Sequence, residues 1–169
     1  MCPTALEKSY KGMQKIVHPD FHSGSSEELA GEAAVASSTL NTAFHTLRDP
    51  QTRARYLLKL QGADTQGESG EGSRVVSPTL LSEVMEAREI VGDPSTPLEG
   101  VRRMRGRAGE AVSKCVADLA LAFREGATGK ERARNITVAL SYYTRLVEEA
   151  DSVLEVREAK ERGGGEKEA

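Results

Sequence analysis

The chain has 169 residues, of which 38% are hydrophobic and 29% are charged, and it contains no Trp. A chain of this length forms one or two small domains, and no apolar stretch approaches the ~20 residues of a membrane span. With a net charge of -3 at pH 7, the chain as a whole lacks the excess of basic residues that is typical of a nucleic-acid-binding protein. It has no Gly-rich phosphate loop, nucleophile elbow or metalloprotease motif. We therefore expect no nucleic-acid or membrane partner, no cofactor and no enzymatic activity.

The two cysteines, Cys2 and Cys115, lie far apart in the chain. This spacing predicts neither a disulfide framework nor a metal site, and it suits a reducing compartment. We expect Cys115 to be buried.

The first segment with helical periodicity ends at the tripeptide His18-Pro19-Asp20. At about 100° per residue, four apolar residues lie within an arc of roughly 60°, and three lysines lie on the opposite side. The apolar face consists of Leu6, Tyr10, Met13 and Val17, and the basic face consists of Lys8, Lys11 and Lys15. Because Pro19 disfavours the helical conformation for His18, this helix should end near Val17.

The tripeptide by itself permits several interpretations. The alternation of His18, Asp20 and His22 is conceivable as a metal site, but no further histidine pair or cysteine cluster supports one. A general acid or base role for His18 would need a cleft and a nucleophile, which nothing nearby supplies. A plain turn between helices is the simplest interpretation. An exposed Asp20 could also pair with an arginine of a partner.

Two further helices follow the tripeptide. Ser25 and Glu28 match a capping box that opens the first of them. The inner stripe of this helix should pack on the apolar face of the preceding one, and it consists of Ala33, Ala36, Leu40, Ala43, Phe44 and Leu47. Asp49 suits the N-cap and Pro50 the first position of the next helix, which should run to Leu60.

Residues 63–77 are rich in Gly, Ser and charge, which is typical of a linker. Three amphipathic helices after them predict an antiparallel bundle. The first begins with Ser77 and Pro78 and ends at Gly92. The second spans 98–124, and its apolar stripe comprises Val101, Met104, Ala108, Val112, Cys115, Leu119 and Phe123.

The third bundle helix opens with Thr128 and Glu131, which match another capping box. Its stripe comprises Ile136, Leu140, Tyr143, Val147, Ala150 and Leu154. The tail at 157–169 is charged and Gly-rich, so we expect it to be frayed or disordered. The basic run at 101–107 could bind phosphates or an acidic lipid surface, but a solvated helix face is the simpler interpretation. No alternating runs predict strands, so the expected class is all-α.

Several stretches of the first sixty residues resemble a known family. The segment from Leu6 through His18-Pro19-Asp20, the run LNTAFHTLRDP at 40–50 and the run RARYLLKLQG at 53–62 resemble the J domain of the HscB-type iron-sulphur co-chaperones. The HPD tripeptide alone indicates a J protein, whereas the later runs are specific for this branch. The domains implied are a J domain at 1–62, a linker at 63–77, a scaffold-binding three-helix domain at 78–156 and a charged tail at 157–169.

The resemblance implies an adaptor with two protein partners. In J proteins the HPD loop and the basic face of the preceding helix dock on an ATP-bound Hsp70 and stimulate its ATPase. The matching residues here are His18, Pro19 and Asp20 of the loop and Lys8, Lys11 and Lys15 of the basic face. Members of this family also deliver the iron-sulphur cluster scaffold protein to that Hsp70.

For the scaffold protein, the family uses an exposed apolar patch on the first helix of its C-terminal bundle and an aromatic residue on the last helix. The matching residues are Leu81, Met85, Glu86, Glu89 and Tyr142. From spacing alone, Leu81 and Met85 could instead belong to the bundle core. The other possible inner stripe is Leu80, Val84, Arg88 and Val91, which would leave Leu81 and Met85 exposed.

The chain departs from the family pattern at three places. Ser82 stands where relatives often have a larger apolar residue, and Phe21-His22 follow the motif where a Lys is common. The residues before Leu6 leave no room for the first J-domain helix, so we expect a truncated J domain. A competing hypothesis is therefore a helical protein that binds the scaffold protein but whose J motif is non-functional.

The expected location rests on the resemblance. The family is mitochondrial in eukaryotes and cytoplasmic in bacteria. We expect the mitochondrial matrix and a mitochondrial-type Hsp70, or the bacterial cytoplasm for a bacterial source.

Overall fold

The computed structural model describes residues 3–18, 26–62 and 77–164. These residues form helices and contain no strand, which confirms the all-α class. The helices are α1 (Pro3–Val17), α2 (Glu27–Arg48), α3 (Pro50–Leu60), α4 (Pro78–Gly92), α5 (Leu98–Arg124) and α6 (Lys130–Gly164). The chain divides into two compact units, Met1–Leu57 and Leu58–Ala169. Apart from Ser77, the predicted linker lies outside the described residues.

In the first unit, α1 and α2 pack through a mixed aromatic and polar seam. The rings of Tyr10 and Phe44 stack with centroids 4.1 Å apart. The Tyr10 hydroxyl donates to Asn41 Oδ1 at 2.7 Å, and Gln14 Nε2 donates to the same oxygen at 2.6 Å. Ser37 Oγ donates to Gln14 Oε1 at 3.2 Å. Because hydrogen bonds are directional, this network sets how the two helices align along their length.

Because of this polar seam, the burial of several residues differs from the prediction for the apolar faces of α1 and α2. Ala33 is buried and Phe44 is half-buried, as expected, but Met13 is 55% exposed. Ala36 and Ala43 are exposed as well, so the prediction was wrong for these three residues. Hydrophobic periodicity could not anticipate that polar side chains would occupy the contact line between α1 and α2 and turn Met13 outward.

The ends of these helices follow local capping chemistry. The N-cap of α2 is Ser26, whose Oγ accepts from Leu29 N at 3.4 Å, so the predicted capping box from Ser25 to Glu28 was misplaced by one residue. Ser25 itself lies outside the described residues. Asp49 caps α3 as predicted, because its Oδ1 accepts from Thr52 N at 2.7 Å.

The second unit is a three-helix bundle in which α4 packs on α5 and α6. On α4 and α5 the buried residues lie on the predicted stripes except for Ala122, whereas on α6 Ala133, Thr137 and Leu146 are buried beside the predicted stripe, which was therefore only partly right. One core cluster consists of Val91, Val101, Ala108, Leu146 and Ala150. Cys115 is also buried, as predicted, and burial raises the pKa of its thiol. No helix among the described residues is long and apolar enough to cross a membrane.

Hydrogen bonds define the direction of α4 relative to α6. The bonded pairs are Glu83 with Tyr143, Arg88 with Glu149, and Pro94, just after α4, with Arg157. Residue numbers rise together along the two helices, so α4 and α6 run parallel. The helix that connects them in the chain, α5, runs in the opposite direction.

The prediction that the tail is frayed or disordered from 157 onward was wrong for its first eight residues, since α6 continues to Gly164. Arg157 Nη2 donates to the carbonyl oxygens of Pro94 at 2.6 Å and Thr96 at 2.8 Å. Glu158 pairs with Arg102 at 2.8 Å. The charges that suggested a solvated tail therefore bind the loop after α4 and the start of α5, which stabilises the end of α6.

The connection between α5 and α6 is a short 3-10 turn at Gly126–Gly129. Thr128 lies within this turn and its hydroxyl donates to Glu125 O at 2.9 Å, so the capping box predicted for Thr128 and Glu131 was wrong. Gly129 is buried, and a Cβ at this position would collide with the carbonyl oxygen of Ala122. The tight approach of the turn to α5 therefore requires glycine here.

We expect Gly129→Ala to destabilise the bundle by about 1–3 kcal/mol, because the turn must move away from α5 to admit the methyl group. Gly106→Ala is the matched control, since a Cβ there meets nothing within 4 Å. The control should raise stability by about 0.5–1 kcal/mol, because alanine favours a helix interior over glycine. Urea denaturation followed by circular dichroism measures both. Equal effects of the two substitutions would contradict the close approach.

Candidate functional site

The first candidate surface is the basic face of α1. Lys8, Lys11 and Lys15 are all exposed, as predicted. Lys11 Nζ lies 2.7 Å from Glu7 Oε1, and the hydrogen bond from Lys11 lowers the pKa of the Glu7 carboxyl. Within the described residues, Lys8 and Lys15 have no ion-pair partner. Both ammonium groups are therefore available to acidic groups on another molecule.

The tripeptide after α1 is described only at its first residue. The helix ends at Val17, as Pro19 predicts, and the backbone N–H of His18 still donates to Gln14 O at 2.9 Å. Pro19 and Asp20 lie outside the described residues, as does His22. Within the described ranges, no group of three or more His, Cys, Asp or Glu side chains could hold a metal ion.

The second candidate surface lies on α4. Leu81 is 42% exposed and Met85 is 54% exposed, whereas Val84 and Val91 are buried at 1% and 3%. The alternative that Leu81 and Met85 belong to the bundle core was therefore wrong. The carboxylates of Glu86 and Glu89, on the same helix, are also exposed. An exposed Leu and Met beside carboxylates form a small apolar patch with an acidic border.

Helical geometry places Tyr142 next to this patch. Residues seven positions apart lie on the same face of a helix, about 10 Å along its axis. Tyr142 therefore shares a face with Glu149, and Leu81 shares a face with Arg88. Because Arg88 Nε donates to Glu149 Oε2 at 2.9 Å and the two helices run parallel, Leu81 and Tyr142 lie along the same seam. Tyr142 is half-buried, so part of its ring is open to a partner.

The neighbouring Tyr143 makes a contact that the sequence did not predict. Its hydroxyl donates to Glu83 Oε2 at 3.2 Å. Burial, followed by the nearby Glu83 charge, raises the pKa of Tyr143 to about 12. The phenol therefore stays protonated at neutral pH and remains a donor to the carboxylate. Its place on the core stripe offered no signal of this, because the hydroxyl reaches the bundle surface only through the packing of α4 on α6.

The two surfaces suit binding and not bond-breaking chemistry. Lysines on an exposed helix face attract acidic surfaces by charge, while an exposed Leu and Met beside a Tyr supply the apolar and aromatic anchors typical of protein interfaces. Neither surface includes a nucleophile paired with a base among the described residues. The arginines at 102 and 105 are not a third surface, because they pair with Glu158 and Asp151 across the bundle.

Comparison with known proteins identifies the family. Residues 76–151 match the family model described as the HSCB C-terminal oligomerisation domain. An iron-sulfur cluster co-chaperone protein HscB homolog of Arabidopsis thaliana is 37% identical over 102 residues, which cover 59% of this chain and 39% of the relative. A co-chaperone protein HscB homolog of Chromobacterium violaceum is 31% identical over 118 residues, 68% of this chain and 66% of the relative.

The fold agrees with these matches. The solved structure of chaperone HscB from Vibrio cholerae superposes with a TM-score of 0.78 at 25% identity, and the match covers 92% of this chain and 90% of that one. The chain spans only 39% of the plant relative and 66% of the bacterial relative in length. The family model, the sequence relatives and the structural neighbour all agree: the chain belongs to the family of HscB-type co-chaperones.

Proposed function

We propose that this protein is a J-protein co-chaperone that stimulates the ATPase of a dedicated Hsp70 and delivers the iron-sulphur cluster scaffold protein to it. Its role would then lie in the assembly and transfer of iron-sulphur clusters, with ATP hydrolysis carried out by the Hsp70. The observation that carries the proposal is that each compact unit exposes its own surface suited to binding. These are the basic face of α1 and the Leu81–Met85 patch of α4.

The Hsp70 contact is mainly electrostatic. Lys8, Lys11 and Lys15 would meet acidic groups of the chaperone, together with His18, Pro19 and Asp20, which follow α1 in the sequence. A carboxylate such as that of Asp20 forms a strong, oriented bond with an arginine. The exposed pair of Lys11 with Glu7 contributes little to stability, so a partner can replace it. Charged contacts of this kind favour rapid encounter and weaken as salt is added.

The scaffold contact is mainly apolar. Leu81, Met85 and Tyr142 would provide the anchors, because apolar and aromatic side chains that become desolvated contribute most of the binding energy of an interface. Glu86 and Glu89 would border them and favour a basic surface on the scaffold protein. Ser82 lies on the same exposed side, where a larger apolar residue would extend the patch.

A second candidate function is a scaffold-binding helical protein whose J motif is non-functional. The exposed Met13, Ala36 and Ala43 favour it, since these apolar side chains are not packed in the first unit. A loosely held hairpin would present the tripeptide poorly to an Hsp70. Scaffold binding through Leu81, Met85 and Tyr142 would be the same under both candidates.

The proposed location rests on the resemblance to members of the family. By its resemblance to eukaryotic members, we place the protein in the mitochondrial matrix with a mitochondrial-type Hsp70 as partner. A bacterial source would place it in the cytoplasm. Both compartments are reducing, which agrees with the wide separation of Cys2 and Cys115.

Asp20→Asn should abolish the stimulation of Hsp70 ATP turnover, because the neutral amide cannot make the charge-assisted bond. The measurement is the single-turnover ATPase rate of the Hsp70 with increasing co-chaperone, and Glu155→Gln in the second unit is the control. Stimulation by the Asp20→Asn protein equal to that of the unmodified protein would contradict the assignment. No stimulation by the unmodified protein would favour the second candidate function.

Leu81→Ala combined with Tyr142→Ala should weaken scaffold binding by about tenfold or more, since both side chains act as interface anchors. Isothermal titration calorimetry with the scaffold protein measures the affinity. Stimulation of the Hsp70 without scaffold should stay unchanged. Leu121→Ala is a matched control, because Leu121 is 53% exposed on α5 and belongs to neither surface. An equal loss of affinity in the Leu121→Ala control would contradict the assignment of the Leu81–Met85 patch to the interface with the scaffold protein.

A further inference from the structure

A half-open cleft of about 160 Å³ lies between α4, α5 and α6 in the second unit. Its lining is more apolar than polar and includes Val84, Ala108 and Leu146, which are buried. Ile90 of α4 and Met104 of α5 form part of its walls. Apolar walls that face a water-accessible void lose contacts with neighbouring atoms and gain nothing from burial. A bundle optimised only for stability would close such a cleft.

The cleft has room for one apolar side chain of medium size. A cavity of ~150 Å³ lined by Leu, Ile and Phe holds a benzene molecule. By that measure, this cleft accommodates the side chain of a Leu, Met or Phe. Small residues help to keep it open, since Ala87 of α4 and Ala108 of α5 both line it.

The rim of the cleft carries opposite charges on its two sides. Glu83 and Glu86 stand on the α4 side, and Arg107 stands on the α5 side. All three are exposed, and Tyr143 donates to Glu83. Glu86 and Arg107 form no ion pair with any described residue. A ligand that presents a basic group toward α4 and an acidic group toward α5 would therefore match the rim in one orientation only.

The cleft adjoins the surface proposed for the scaffold protein. Glu86 belongs to both, and Leu81 and Met85 lie across α4 from the cleft. A standard interface involves about 20–30 residues on each side, far more than the five side chains assigned to the scaffold surface. A partner with an interface of that size covers more than the Leu81–Met85 patch, and the cleft is part of the surface that adjoins the patch. A cleft is where an interface anchor is most effective, because the inserted side chain becomes fully desolvated.

We propose that the cleft between α4, α5 and α6 is a second anchor site for the scaffold protein, which inserts one apolar side chain flanked by a basic and an acidic residue. The basic residue pairs with Glu83 and Glu86, and the acidic residue pairs with Arg107. This inference rests on the proposed function, because the occupant is the same partner. It adds that the scaffold protein lies across α4 and contacts both of its exposed sides.

The test is isothermal titration calorimetry of the full chain with the scaffold protein, using two variants of the cleft. Arg107→Glu reverses the rim charge on α5, and Arg103→Glu makes the same charge change at an exposed residue of that helix outside the cleft. Ala87→Leu fills the cleft with a larger side chain. We expect Arg107→Glu and Ala87→Leu each to weaken binding by about tenfold, whereas Arg103→Glu binds like the unmodified protein.

The outcomes separate this inference from the proposed function. Weaker binding by Leu81→Ala, together with unmodified affinity for Arg107→Glu and Ala87→Leu, would overturn the cleft site and leave the proposed function intact. If Arg107→Glu and Arg103→Glu weaken binding equally, the loss of affinity is a long-range charge effect that does not depend on the cleft. This result would also overturn the cleft site. Absence of binding by the unmodified chain would overturn both. Should Ala87→Leu fail to fold, as judged by circular dichroism, the pair of arginine variants decides.

Discussion

The packing of α4 against α6 determines what the second unit can offer to a partner. Val84 and Val91 of α4 are almost fully buried in the bundle, and Arg88 bonds to Glu149 of α6. Because successive residues of a helix are about 100° apart, burial of these two valines leaves Leu81 and Met85 facing solvent. A rotation of α4 by one position would bury the apolar patch and expose the valines instead. The binding surface is thus a consequence of the register that the core requires.

In the first unit, polar contacts between α1 and α2 determine which side chains are exposed. Its helices meet through Tyr10, Gln14 and Asn41, whose polar atoms bond to one another across the α1–α2 seam. Satisfied polar networks favour one alignment of two helices over others, because a shifted alignment would leave buried donors and acceptors without partners. The same seam directs Lys8 and Lys15 outward on α1. A polar contact line therefore keeps the basic face exposed, at the cost of an apolar Met13 in solvent.

The two proposed contacts use different physics, which suits an adaptor with two partners. Binding by the lysines of α1 would be fast and sensitive to salt, whereas binding by Leu81, Met85 and Tyr142 would depend on the removal of apolar area from water. Some of the other charged side chains pair within the molecule. Arg105 pairs with Asp151 across the bundle, so this part of the arginine-rich run of α5 stabilises the fold and does not add a further basic surface.

The sequence by itself determined the helices, their order and several of their ends, because proline, glycine and capping residues such as Pro19, Asp49 and Gly62 act within a few positions of the backbone. It also carried the family resemblance and the correct preference for an exposed Leu81 and Met85. Only the tertiary structure decided the polar α1–α2 seam, the continuation of α6 beyond Arg157, and the cleft with its Tyr143–Glu83 bond. These features depend on contacts between residues 60 or more positions apart, as in Tyr143–Glu83 and Arg157–Thr96, or on polar groups that meet between helices. Local periodicity carries no information about which distant partner a side chain will meet.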